Sequence, residues 1–101
     1  MPKTVTKAWD PANHLVTEED MAAYLEAALE LGDSAVIAAA LGDIARAKGM
    51  TQIARETGLG RESLYKVLSP GGNPEFATFM KVITALGLQL HVSPADAKAS
   101  G

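Results

Sequence analysis

An all-α domain of five helices followed by a short C-terminal β-strand is the fold this sequence predicts, and three observations carry the expectation. Two long segments repeat apolar residues at helical spacing, each between a side chain able to cap a helix start and a glycine able to end one. A pair of shorter segments pivots on Gly58. Beyond a fifth helical segment, Leu86, Leu88, Leu90 and Val92 alternate with Gly87, Gln89 and His91, which is the period of a strand.

The elements follow in order. Residues 1–16 carry Pro2, Pro11 and a lone Trp9 without helical period, and read as an extended arm from which Trp9 and Leu15 pack back. Thr17 caps the first helix, with Glu18, Glu19 and Asp20 in the turn where the helix dipole favours acids. Met21, Tyr24, Leu25, Ala28 and Leu29 form its apolar stripe, and Gly32 ends it. Asp33 caps the second helix, Ser34 to Lys48, in which Val36, Ile37, Ala40, Leu41 and Ile44 repeat the stripe before Gly49. Gly42 inside that helix costs about 1 kcal/mol against Ala, so its presence points to a close helix crossing. Thr51 is expected to cap a short third helix ended by Gly58, and a fourth runs from about Arg61 to Leu68. Ser69 to Pro74 is nearly all helix breakers. The fifth helix spans about Glu75 to Leu86, with Phe76, Phe79, Met80, Ile83 and Leu86 or Gly87 as its buried face. The domain proper is thus 17–92, and the small, polar residues 93–101 read as a disordered tail.

Composition narrows the class. At 101 residues, 48% hydrophobic and 21% charged, the chain makes one compact domain and excludes a two-domain enzyme. It has no cysteine, which removes disulfides, thiolate metal sites and thiol nucleophiles, and fits a reducing cytoplasm. His14 and His91 lie far apart with no metal-ligand spacing around either; Asp10 and His14 are four apart, but Pro11 falls between them and no other ligand is near. No apolar run approaches the ~18 residues of a membrane span, and the start lacks a secretory apolar region. No Ser/His/acid set or carboxylate pair suits catalysis, Gly58-Leu59-Gly60 lacks the third glycine and preceding strand of a dinucleotide site, and Gly71-Gly72 lacks the lysine of a phosphate loop. The expectation is a non-enzymatic cytoplasmic protein without cofactor or metal.

The net charge of −3 conceals a segregation. Residues 1–43 hold two lysines against eight acids, a net of −6. Residues 44–69 hold five cations against two acids, a net of +3, and the remainder is balanced. Opposite charge in two parts of so small a domain suits two partners, one cationic and one anionic, or else two solvated helix faces.

The stretch 50–69 carries a spacing with a mechanical reason. In a helix-turn-helix the helices meet steeply, so the first needs a tiny residue at the crossing and the turn needs a residue that tolerates a left-handed backbone. Ala54 and Gly58 fit these, and Ile53, Leu59, Leu64 and Val67 supply the apolar plugs around them. The outward positions of the second helix are then Gly60, Arg61, Glu62, Ser63, Tyr65 and Lys66, a hydrogen-bonding and cationic set suited to a DNA groove. Arg61 suits guanine O6 and N7 together, with a phosphate as its rival partner. Lys66 and, on the preceding helix, Arg55 suit phosphates or a solvated surface. Tyr65 suits a thymine methyl or a phosphate, and Ser63 is as adaptable. Glu62 can accept from cytosine N4 or repel wrong sequences. Thr51 and Gln52, at the N-terminus of the third helix, suit a phosphate, simple capping being the alternative for Thr51. Arg46 and Lys48 are explained by the dipole of the second helix and stay outside the site.

The run 41–54, then Thr57-Gly58-Leu59 and Arg61-Glu62-Ser63-Leu64-Tyr65-Lys66, resembles the addiction-module antidote proteins of the Cro/repressor-type helix-turn-helix class, HigA-like. The resemblance continues through Asn73-Pro74 and 85–88 and begins upstream at Asp10, Leu15 and the acidic helix 24–29, so it covers about residues 9–92. It implies a bacterial type II antitoxin that neutralises a small basic toxin of the RelE/ParE or HigB class, binds double-stranded operator DNA and represses its own operon. Gly60 departs from the pattern, in which Ser or Thr often caps the recognition helix; a glycine caps almost as well but offers no hydroxyl to a phosphate. A stand-alone helix-turn-helix repressor without toxin is the alternative. The acids Glu18, Glu19, Asp20, Glu26 and Glu30 are candidates to meet the toxin, though spacing does not choose among them. The expected strand 88–92 needs a partner, either Thr4 to Lys7 or the same strand of a second subunit. A two-fold homodimer would set two recognition helices about 34 Å apart on a palindromic operator.

Overall fold

The computed structural model describes residues 14–95, which fold as five α-helices: α1 (Glu18–Leu31), α2 (Ser34–Lys48), α3 (Met50–Thr57), α4 (Arg61–Val67) and α5 (Phe76–Ala85). Trp9, Thr4 to Lys7, Asp10 and most of the expected arm and tail lie outside the described residues.

Both long helices start as their sequences dictate. Thr17 and Asp20 form a capping box: the Thr17 hydroxyl accepts from the Asp20 N–H at 3.0 Å, and the Asp20 carboxylate accepts from the N–H groups of Thr17 and Val16 at 3.1 and 3.2 Å. Those bonds hold the Asp20 carboxyl below the ordinary aspartate range. Asp33 caps α2 through the Ala35 N–H at 2.9 Å. α1 and α2 pack as an antiparallel pair, α3 packs on α2 and α5, and α4 packs on α3. The core joins Leu15, Met21 and Leu25 to Leu41, Ile44, Ile53, Leu64, Val82, Ile83 and Leu86.

Gly42 makes the close crossing that its cost in a helix implied. A Cβ there would lie 2.2 Å from the Leu68 carbonyl oxygen, so α2 meets the C-terminal end of α4 backbone to backbone.

Three expectations need correction. Thr51 does not cap α3. The cap position falls on Gly49, whose φ of 122° and ψ of 106° suit glycine, and Thr51 sits exposed in the first turn. Because Gly49 alone separates α2 from α3, the chain turns before Met50, which enters the core at 6% exposure. Phe76 does not join the buried face of α5 but stands 74% exposed, stacked on half-buried Phe79 with ring centroids 6.4 Å apart. The buried row is carried by Val82, Ile83 and Leu86, and the first turn of α5 projects past it.

Residues 88–92 form no strand, and the described residues contain none. The alternation at 86–88 has another cause. Gly87, at φ 77°, donates to the Thr84 carbonyl at 3.0 Å, and Leu88 donates to the Ile83 carbonyl at 3.1 Å. This is a Schellman close of α5, in which the residue after the left-handed glycine folds back onto the apolar side of the helix. Leu86 is fully buried and Leu88 half-buried against the core because a helix cap put them there.

Candidate nucleic-acid interface

α3 and α4 are joined by a turn that the sequence specifies atom by atom. Gly58 takes φ 79° and its N–H returns to the Ala54 carbonyl at 3.0 Å. Thr57, buried to 7% exposure, donates its hydroxyl to the Ile53 carbonyl at 2.8 Å and accepts the Leu59 N–H at 3.4 Å. A buried hydroxyl satisfied on both sides fixes the chain where it leaves α3. Sequence reasoning passed over Thr57, although a threonine directly before the turn glycine is a residue whose side chain can back-bond to the preceding turn. Leu64 is fully buried, while Val67 and Leu59 are half-buried against the core, so the inner side of α4 is anchored by the residues expected to plug it.

The outer side collects the candidate residues. Gly60, Arg61, Glu62, Ser63, Tyr65 and Lys66 are all exposed on α4 or at its start, and Thr51, Gln52 and Arg55 are exposed on α3. Gly60 has an extended backbone, φ −72° and ψ 155°, and accepts the Leu64 N–H through its carbonyl at 2.9 Å, with no side-chain cap on α4. Arg61 and Tyr65, one turn apart, form a unit: the guanidinium donates to the Tyr65 hydroxyl at 3.3 Å and its carbon stands 5.7 Å from the ring centroid. The ring thereby limits the rotamers of an exposed arginine at low energetic cost. Gln52 donates its amide to the Glu56 carboxylate at 3.1 Å, so it must exchange that bond to grip a phosphate.

The tertiary structure redistributes the charge that the sequence segregates. Arg46 pairs with Asp43 at 3.0 Å and Lys48 with Glu18 at 3.2 Å, so two of the five cations of the basic segment face acids of the acidic one. On α3 and α4 there remain Arg55, Arg61 and Lys66 beside Glu56 and Glu62. The surface is therefore a mixed one with a small cationic excess, in which position rather than total charge determines what can be contacted. Arg46 and Lys48, which sequence reasoning left outside the site, are thus each paired with a carboxylate.

Among the described residues no cluster of three or more His, Asp or Glu could hold a metal ion, and no helix is long and apolar enough to cross a membrane.

Comparison with known proteins extends over the same residues. No solved structure matches this chain. An uncharacterized protein of Haemophilus influenzae (strain ATCC 51907 / DSM 11121 / KW20 / Rd) is 54% identical over 86 residues, which cover 85% of this chain and 89% of that protein. The family model described as "Probable addiction module antidote protein" matches residues 5–94, taking in all five helices, the turn at Gly58 and the acidic α1 together. That extent takes in every described helix from α1 to α5, and the chain belongs to the family of probable addiction module antidote proteins.

Proposed function

We propose that this chain is the antitoxin of a type II toxin–antitoxin module, which neutralises a small basic toxin of the RelE/ParE or HigB type and represses its own operon through operator DNA. The antitoxin role and the existence of a toxin partner rest on membership of the antidote family. The DNA-binding half rests on one observation: α4 is pinned by Leu64 while Arg61, Glu62, Ser63, Tyr65 and Lys66 all face outward.

In this reading α3 and α4 are a HigA-like helix-turn-helix of the Cro/repressor type. α4 enters the major groove, Arg61 reads a guanine, and Lys66 and Arg55 meet phosphates. The Tyr65 ring presents Arg61 as a held fork, which reduces the rotamer freedom lost on binding. Thr51 and Gln52 offer the N-terminus of α3 to the backbone. A cytoplasmic homodimer places two such units on a palindrome. The protein acts by binding rather than by catalysis.

The test is to express the chain with the reading frame beside its gene and to titrate the purified protein on the shared promoter. Stoichiometric capture of a toxic neighbour that is silenced, with salt-dependent retention of promoter DNA over random DNA, is the expected result. Promoter binding without a captured neighbour would favour a stand-alone repressor, and capture without DNA binding would remove the role given to α4.

A further inference from the structure

An apolar patch lies just beyond α4 in the chain. Phe76, on the first turn of α5, stands 74% exposed, and with half-buried Phe79 it forms one wall of a groove of about 260 Å³. Leu29 of α1, 37% exposed, Ile37 of α2 and Pro74 extend the apolar lining. None of the residues that line the groove carries a charge. The acids next to it in sequence, Glu30, Asp33 and Glu75, are not part of the lining; Asp33 is turned to the Ala35 N–H, and Glu30 is engaged within the fold.

The patch carries both halves of a two-fold contact. Phe76 is a projecting ring, and the groove beside it, at about 260 Å³, exceeds the ~150 Å³ cavity that accepts benzene. In an isologous pair each copy inserts what the other receives, so a single patch holding ring and groove completes itself. The position also suits DNA. A Cβ on Gly72 would lie 2.2 Å from the Val67 carbonyl oxygen, so the turn after α4 folds back on the last residue of that helix. Phe76 follows four residues later, at most about 14 Å away. With α4 itself about 10 Å long, a two-fold axis through Phe76 sets the centres of two α4 helices no more than about 50 Å apart, a range that contains the ~34 Å between successive major grooves on one side of the duplex. Residues 88–92, where the sequence places a pairing strand, form none.

We propose that two copies of this chain meet through the Phe76 patch, each Phe76 ring entering the groove that Leu29, Ile37 and Phe79 line in the other copy. The inference rests on the reading of α4 as a DNA-binding helix and adds the surface that pairs two of them. Charge selects the occupant. A chain of net charge −3 meets its own copy here with no charged lining residue on either side, whereas a cationic toxin finds no carboxylate in the groove.

The experiment follows the mass of the full chain by sedimentation equilibrium across the micromolar range and its affinity for promoter DNA in parallel. Phe76→Glu sets an acid in each copy against the apolar groove of the other, and Ser34→Arg reaches into the groove from an exposed position. Leu31→Ala, at an exposed leucine that does not line the groove, is the control. The wild type is expected to be a dimer that the first two variants weaken by about tenfold or more and the control by no more than about twofold, with promoter affinity falling for the same two. Each variant is melted to show that it folds, and Phe76→Ala is the milder truncation if Phe76→Glu does not. A wild-type dimer that neither variant weakens would overturn the surface and leave the DNA reading standing. A dimer weakened as expected but without affinity for promoter DNA would uphold the surface and overturn the role given to α4. A wild type that is monomeric both alone and on promoter DNA would overturn the pairing. A monomeric chain that captures the product of the adjacent reading frame and loses it on Phe76→Glu would assign the face to the toxin and overturn the proposal.

Discussion

Replacing Gly42 by alanine tests the tightest contact in the fold. The added Cβ would stand 2.2 Å from the Leu68 carbonyl oxygen and 3.4 Å from its carbon. An ordinary contact between such atoms needs roughly 1 Å more. The obstacle is backbone at the C-cap of α4, which cannot swing aside as a side chain does. Overpacking of this kind costs about 1–3 kcal/mol, and a backbone obstacle places it at the upper end. Against it stands a gain of about 1 kcal/mol from helix propensity at an interior position. The net expectation is about 2 kcal/mol of destabilisation, which lowers the Tm of a domain of this size by about 10 °C. Gly71→Ala is the control, since its Cβ meets nothing within 4 Å, and it should remain within about 0.5 kcal/mol of wild type. Thermal and urea unfolding followed by circular dichroism measure both. A Gly42→Ala protein as stable as wild type, or more so, would refute the reasoning, because that is the outcome helix propensity alone requires.

The remaining predictions concern the turn, the cap and the interface. Thr57→Val keeps the shape of the side chain but leaves the Ile53 carbonyl and the Leu59 N–H without the hydroxyl; it should cost about 1 kcal/mol by urea unfolding, and an unchanged midpoint would deny the hydroxyl any part in the turn. Thr17→Ala removes the side chain that accepts from Asp20 and should cost about 1 kcal/mol in the same assay. Because the Thr17 and Val16 N–H groups depress the folded-state pKa of Asp20, its stabilisation is present above the ordinary aspartate value and is lost as pH falls through the folded value. The Tm difference between wild type and Asp20→Ala should therefore be constant near neutrality and shrink below about pH 4, and a difference that grows on acidification would reverse the assignment. Arg61→Ala should weaken specific DNA binding by about 1–3 kcal/mol and relax one base position, whereas Lys66→Ala should weaken all sequences alike; equal losses on promoter and random DNA for both would mean that Arg61 reads no base.

Local chemistry made most of the helical frame legible. Thr17 and Asp33 are side chains that satisfy the first N–H groups of a helix, and both cap where their positions say; Gly32 and Gly58 stop helices because they adopt left-handed backbone cheaply. The candidate set on α4 was readable for the same reason, since Leu64 and the 3.6-residue period leave only the other side of the helix to face outward. Family resemblance added what no spacing contains, namely a toxin.

What the chain could not disclose residue by residue depends on groups that meet only after folding. The alternation at 86–92 fits a strand in one dimension, yet Leu86 and Leu88 are apolar because α5 closes over the core with Gly87 in a left-handed turn. Phe76 matched the helical stripe, but the core ends before the first turn of α5 reaches it. The basic segment looked free to attract an anion until α1 brought Glu18 to Lys48 across 30 positions of sequence. Caps such as Thr17 and Asp33 act within a turn or two of backbone and were legible in the sequence, although the cap of α3 fell on Gly49 and not on Thr51. Burial at the ends of elements and ion pairs between distant segments are sums over neighbours remote in sequence, and only the tertiary structure decided them.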